Sequence, residues 1–223
     1  MSEGCSAAMK ISASILSADY LHLGRDIERA AEAGCDALHL DVMDGHFVPN
    51  IAVGLCTVEA LRETRLRKDT HLMISNPETM IGPFIDAGSD SVTFHAEATP
   101  HHVRLLRDIH RAGRLAGIAL TPETPLEAVR CALEEADIVL QVAVSAGFGG
   151  QAINAHVYGK LETLRGWRER YGYRYEIQVD GGINMDTFSR VLKAGADMLV
   201  AGSFLFGAED MKKTVSSMRA ATV

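Results

Sequence analysis

Residues 33–42 read AGCDALHLDV, residues 87–96 read AGSDSVTFHA, and residues 194–203 read AGADMLVAGS. Each stretch has a glycine able to end a helix in the left-handed region, then an aspartate, then an apolar run of strand length. Residues 134–144, EEADIVLQVAV, repeat the device with Ala136 in place of the glycine. Gly34 and Gly88 lie 54 residues apart, and Gly195 lies 107 beyond Gly88, close to twice that spacing. A period of this size holds two strand–helix units.

Reading outward from these anchors predicts strands over 10–16, 37–43, 68–74, 91–96, 115–120, 137–144, 175–180 and 197–202. Helical patterns fall between them at 19–33, 55–63, 77–87, 100–112, 125–134, 154–171 and 184–194, with a last one near 208–219. Asp19, Asn76, Thr124 and Asn184 stand where N-caps belong, and Pro77 and Pro125 suit first helical positions. Eightfold alternation implies an α/β fold, a parallel sheet closed into a (β/α)8 TIM barrel. An open doubly wound sheet is the competitor, but no G-x-G-x-x-G follows the first strand.

The whole chain fits that frame. Its 223 residues, 47% of them hydrophobic, suffice for one barrel domain over 10–223. The start, MSEGCSAAMK, has neither a basic nor an apolar signal region and reads as a disordered extension over 1–9. Cys5, Cys35, Cys56 and Cys131 are scattered, as expected of reduced thiols in a cytoplasmic protein. No apolar stretch approaches the ~20 residues of a membrane span. A net charge of −7 argues against nucleic acid or an anionic membrane as partner. A small anion held by backbone N–H groups and helix N-termini remains compatible.

Residues 38–50, LHLDVMDGHFVPN, carry polar groups on one face of an apolar strand. Positions i and i+2 share a face, so His39, Asp41 and Met43 point one way while Leu38, Leu40 and Val42 point the other. An isolated H-x-D pair serves equally as metal ligands, an acid–base pair or a buried ion pair. The third strand, DTHLMI, aligns Asp69, His71 and Met73, and the seventh, YEIQVDGG, aligns Glu176, Gln178 and Asp180. Singly, His71 reads as a core histidine and Asp180 as a turn residue. Together, two His and two Asp converge at the C-terminal rim, where barrel chemistry sits. That donor set suits Zn2+, Fe2+, Mn2+ or Co2+ without any cysteine. His95 and Glu97, at the fourth strand's end, are either supporting partners of that set or a structural pair.

Glycines mark the other half of the rim. GFGGQ (147–151), Gly181-Gly182 and Gly202-Ser203 follow the last three strands, where barrels commonly hold phosphate through backbone N–H groups.

LHLDVMDGHFVPN, DTHLMISNPE, GFGGQ, VDGGIN and VAGSFLFG, in colinear order from about Ile11 to Gly207, resemble the ribulose-phosphate 3-epimerase family. The resemblance implies a barrel that binds one divalent metal through His39, Asp41, His71 and Asp180. Zn2+ or Fe2+ is the first expectation, then Mn2+ or Co2+. It implies that Asp41 and Asp180 also act as the acid–base pair. Ser14, His71, Phe148 and the backbone around Gly147, Gly149, Gly150, Gly181, Gly182, Gly202 and Ser203 would contact a sugar phosphate. A cytoplasmic homo-oligomer of the pentose phosphate pathway is the corresponding expectation. The chemistry is coherent, because inverting a carbon beside a ketone takes a hydrogen from one face and returns a proton to the other.

The chain departs from the family pattern at three places. Val142-Ala143-Val144-Ser145-Ala146 replaces M-S-V-N-P, which loses a methionine and a loop proline, and Gln178 replaces a glutamate. The segment WRERYGYRYEIQVDGG resembles the related allulose-6-phosphate 3-epimerases, so D-allulose 6-phosphate is the alternative to D-ribulose 5-phosphate. A non-catalytic sugar-phosphate barrel is a further alternative, disfavoured by the intact ligand set. A decarboxylase or synthase on a related barrel is disfavoured because Met43, not a lysine, stands two residues after Asp41.

Overall fold

The aspartate of each repeat staples neighbouring strands together at one end of a closed sheet. The computed structural model describes residues 9–221. Its strands are β1 (Lys10–Ser14), β2 (Ala37–Asp44), β3 (Ile51–Ala52), β4 (Arg67–Met73), β5 (Ser91–His95), β6 (Leu115–Leu120), β7 (Ile138–Val142), β8 (Glu176–Asp180) and β9 (Met198–Ala201). Asp36, just before β2, accepts the Ile11 N–H at 2.8 Å and donates its own N–H to the Ile11 carbonyl. Asp90, Asp137 and Asp197 form the same two bonds with Lys68, Ala116 and Ile177. Their carbonyls accept from Leu115, Glu176 and Lys10 on the opposite neighbour. Each of these three clamps therefore serves two adjacent strands as well as its own. Every second strand suffices to carry one, which is why the repeat has a two-unit period.

The ring is closed. Strand order runs β1-β9-β8-β7-β6-β5-β4-β2, the pairing of β1 with β2 completes the circle, and all these pairs are parallel. This is the expected single-domain (β/α)8 barrel. Its helices are α1 (Leu23–Ala33), α2 (Leu55–Ala60), α3 (Pro77–Ala87), α4 (His102–Arg111), α5 (His156–Tyr171), α6 (Phe188–Ala194), α7 (Ser203–Phe206) and α8 (Met211–Ala220). Gly34, Gly88 and Gly195 follow α1, α3 and α6 at φ 88°, 121° and 123°, the left-handed turn that glycine adopts without strain. Ala136 needs no such turn: it follows a 3-10 helix, Leu126–Glu135, and is itself extended at φ −89°.

Several boundaries move. The first expected strand, 10–16, stops at Ser14, and Ile15–Ser17 coil into a 3-10 turn. The expected helix 19–33 is divided into a 3-10 turn, Tyr20–His22, and α1; Asp19 caps the turn by accepting the Leu21 N–H. The expected helix over 125–134 is the 3-10 segment, with Pro125 as its N-cap residue rather than its first. Asn76 and Thr124 make no cap bond; Asn184 instead accepts from Asp186 and Thr187 in the turn before α6. The two-residue β3, antiparallel to the end of β2, was outside the eight expected strands. Residues 1–8 of the expected N-terminal extension lie outside the described residues, whereas Met9 is buried in the core.

Alternation along the strands separates two environments. Leu38, Leu40, Val42, Leu72 and Phe94 join Ile27, Ala30, Phe84 and Leu106 of the helices in one continuous apolar layer. The barrel interior is different: it is polar along much of its length. Lys10 and Arg67 meet Glu176 at the clamped end, with Asp69, Ser91 and Gln178 next and the histidines beyond them. Asp69 and Ser91 are paired, as buried polar groups generally are, whereas Gln178 Oε1 has no hydrogen-bond partner. Two small apolar clusters, Ala119–Leu140–Val142–Val144 and Met43–Val48–Met73, close the interior near the C-terminal mouth.

Candidate metal and active site

Parallel register sets His39 against Asp69 and Asp41 against His71 across β2 and β4. All four side chains face the barrel interior. His71 Nδ1 lies 3.2 Å from Asp41 Oδ1 and 3.3 Å from His39 Nε2; His39 Nε2 lies 3.4 Å from the same Asp41 oxygen. Asp180, at the end of β8 and three strands round the barrel from β2, brings Oδ2 to 4.0 Å from both ring nitrogens. One donor atom from each of His39, Asp41, His71 and Asp180 falls within 4.8 Å of the others. Ser14, the register partner of His39, donates its hydroxyl to Asp41 Oδ2 at 2.7 Å.

The donor set fits a divalent ion. Two imidazole nitrogens and two carboxylate oxygens face one point, and the far nitrogen of each ring is already engaged. His39 Nδ1 lies 3.0 Å from Asp69 Oδ2, and His71 Nε2 lies 2.9 Å from His95 Nε2. Such partners orient ligating histidines and fix which nitrogen is free. Asp69 is held in turn by the Ser91 hydroxyl at 2.6 Å and by the Gln178 amide.

Electrostatics differentiate the two cluster carboxylates. Burial opposes ionisation of Asp41, but the charges and hydrogen bonds of His39 and His71 outweigh it and hold Asp41 well below the usual carboxylate range. Asp180 is pushed upward, first by burial and then by the negative charge of Asp41. The surroundings therefore shift the two carboxyls in opposite directions. Burial lowers His71, whereas Asp41 and Asp69 overcome burial to raise His39.

Asp41 and Asp180 line a cavity at the C-terminal mouth together with Ser14, Met43, Met73 and Val142. The same cavity runs to Gly147–Gly150, Gly181-Gly182 and Gly202-Ser203, with Phe148 at its exposed edge. His39 and His71 are buried behind the carboxylates and do not reach its wall. Gly182 combines φ 71° with a backbone neighbour, Ile153 N, only 2.8 Å from where a Cβ would stand. A side chain there would collide with the Ile153 backbone.

The structure thus brings the four donor residues and the glycine loops to one rim, but it keeps His71, an expected substrate contact, off the cavity wall. It also adds Leu16, Ser17 and Asn184 to the cavity wall, none of which carries a site role in the sequence pattern. Ser17 lies beyond the end of β1 in a turn that alternation does not foretell. Asp44 was legible only as the end of a strand. In the structure it accepts N–H bonds from His46, Phe47 and Ser75 at 2.8 Å each, tying the β2–β3 loop to the end of β4.

A profile described as the Ribulose-phosphate 3 epimerase family matches residues 10–206. The ribulose-phosphate 3-epimerase of Bacillus subtilis is 43% identical over 213 residues, covering 95% of this chain and 98% of that protein. The Escherichia coli K12 ribulose-phosphate 3-epimerase is 38% identical over 211 residues, 94% of each chain. Among solved structures, 3-keto-L-gulonate-6-phosphate decarboxylase from Vibrio cholerae superposes with a TM-score of 0.75 at 14% identity, over 96% of both chains. At that identity the likeness is one of fold.

Proposed function

The chain belongs to the ribulose-phosphate 3-epimerase family, and from that premise we propose that it interconverts D-ribulose 5-phosphate and D-xylulose 5-phosphate. The observation that carries this reading is the placement of Asp41 and Asp180. They reach one cavity from strands three positions apart. One carboxylate removes the C3 hydrogen and the other delivers a proton to the opposite face. Ser14 holds Asp41 in place through its hydroxyl. Met43, Met73 and Val142 give the cavity apolar walls that keep water from the carbanion-like intermediate.

His39, Asp41, His71 and Asp180 hold one divalent cation, Zn2+ or Fe2+ first and Mn2+ or Co2+ next. When bound, it supplies Lewis acidity for the negative charge that develops on the substrate oxygens. The backbone N–H groups of Gly147, Gly149, Gly150, Gly181, Gly182, Gly202 and Ser203 take the phosphate, with Phe148 over the entrance. Such donors recognise an anion without raising the net charge of an acidic protein. We place the enzyme in the cytoplasm as a homo-oligomer. Cys35, Cys56 and Cys131 are free thiols, no helix among the described residues is long and apolar enough to cross a membrane, and Leu21 and Ile51 expose apolar surface beside the mouth.

One observation favours a second substrate, D-allulose 6-phosphate: Val142 and Ala146, where the family pattern has bulkier or stiffer residues, both line the cavity. One extra carbon is worth about 10–200-fold in kcat/KM. The test measures kcat/KM for both sugars on one sample of known metal content, then repeats it with Val142→Met. Preference for the pentulose supports the first reading. Preference for the hexulose that falls on restoring the methionine supports the second. Inertness toward both, with metal bound, contradicts each.

A further inference from the structure

Behind the metal cluster the His71–His95 contact continues into a longer chain of hydrogen-bonding groups. His71 Nε2 lies 2.9 Å from His95 Nε2, with the rings stacked at a centroid distance of 5.0 Å. His95 Nδ1 lies 2.9 Å from Glu97 Oε2. The other Glu97 oxygen, Oε1, accepts the Thr121 backbone N–H at 2.8 Å and the Thr124 hydroxyl. His95 is fully buried. The Thr121–Thr124 turn is fastened from outside by Lys160, whose ammonium donates to both threonine carbonyls at 3.1 and 2.6 Å.

We propose that His95 and Glu97 are positioning residues that set the tautomer of His71, keeping its Nδ1 lone pair toward the metal site. The inference rests on the metal assignment above. It follows from counting hydrogens. Two ring nitrogens in hydrogen-bond contact share one hydrogen, and an ionised carboxylate only accepts. Glu97 Oε2 therefore takes the hydrogen of His95 Nδ1. A neutral His95 is then bare at Nε2 and accepts the hydrogen on His71 Nε2. A neutral His71 protonated there is bare at Nδ1, the nitrogen nearest Asp41 and His39. Ligating histidines are commonly oriented by a carboxylate on the far nitrogen; here a second imidazole stands between the two.

The Thr121 N–H makes the polarity testable, because a backbone donor cannot turn over. In Glu97→Gln the amide oxygen must stay on Thr121, which leaves the amide NH2 facing His95 Nδ1. His95 then carries its hydrogen on Nε2 and confronts the N–H of His71. The metal-binding tautomer is opposed with almost no change in shape. His95→Gln does the reverse: its NH2 can donate to Glu97 while its carbonyl accepts from His71, so the polarity survives loss of the ring. A purely structural role predicts the opposite ranking, since deleting a buried, stacked ring disturbs packing more than an isosteric amide does.

The experiment uses Zn2+ as probe, in competition with a chromophoric chelator, together with nitrogen-15 imidazole spectra of the zinc-loaded protein. The expected result is a zinc dissociation constant raised about 10–100-fold in Glu97→Gln, a smaller rise in His95→Gln, and wild-type His95 protonated on Nδ1. Wild-type affinity in Glu97→Gln, the reverse ranking of the two variants, or wild-type His95 protonated on Nε2 would overturn the relay. Should Glu97→Gln not fold, the wild-type tautomer still decides. A wild-type chain that binds no zinc is a different result and overturns the metal assignment itself.

Discussion

Asp41 and His71 stand opposite one another in the register of β2 and β4, and their side chains meet at 3.2 Å. The second Asp41 oxygen takes the Ser14 hydroxyl at 2.7 Å from the strand on the other side. One carboxylate is thus placed between both neighbouring strands, hydrogen-bonded to Ser14 on one side and facing the His71 ring nitrogen on the other.

Ser14→Ala removes one of those restraints while leaving the metal donors intact. A hydrogen bond to a charged group is worth about 1.5–3 kcal/mol, so kcat should fall roughly 10–150-fold if the bond matters most in the transition state. Metal content should stay at wild-type level. Steady-state kinetics beside elemental analysis checks this, and a kcat within twofold of wild type would remove Ser14 from the machinery.

Asp36→Ala tests the clamps at the far end of the barrel. The Ile11 N–H, on a fully buried residue, loses its carboxylate acceptor. An unsatisfied buried donor costs about 1–3 kcal/mol. Urea unfolding should show that loss, while kcat/KM of the folded protein stays near wild type. An unchanged unfolding midpoint would mean that the backbone pairing alone sets the register.

Asp44 gives an acid-side signature away from the metal donors. Burial raises its carboxyl, but N–H bonds from Ser75, Phe47 and His46 outweigh burial and bring it down to about 2. A carboxylate with a lowered folded pKa stabilises the protein above its unfolded value, and that stabilisation is lost as pH falls through the folded one. The stability difference between wild type and Asp44→Asn should therefore shrink between about pH 4 and pH 2. A difference independent of pH in that window would show that the loop bonds do not depend on the charge.

Much of this arrangement is legible in the chain itself. The period-2 placement of His39 with Asp41, Asp69 with His71, and Gln178 with Asp180 puts all six on the inward face, and the structure finds them there. The repeated Gly-x-Asp is visible as a pattern, but its purpose is not. That Asp36 binds Ile11, twenty-five residues earlier, depends on which strands become neighbours, and no local propensity encodes that. The same reason hides the role of His95. Its contact with His71 exists only once β4 and β5 have paired in a particular register. The turn at Ile15–Ser17 is missed for a different reason: ASILS continues the apolar pattern of β1 past the point where the backbone coils.

The proposed epimerisation depends on two opposed carboxylates. Its most direct test is exchange of the C3 hydrogen in D2O, followed by NMR on each pure epimer, with metal-loaded wild type, Asp41→Asn and Asp180→Asn. Wild type should convert either epimer and leave deuterium at C3. Each variant should lose conversion almost completely, and any residual exchange should be confined to one epimer, a different one for each variant. Conversion near the wild-type rate by either variant would contradict the assignment of Asp41 and Asp180 as the two bases.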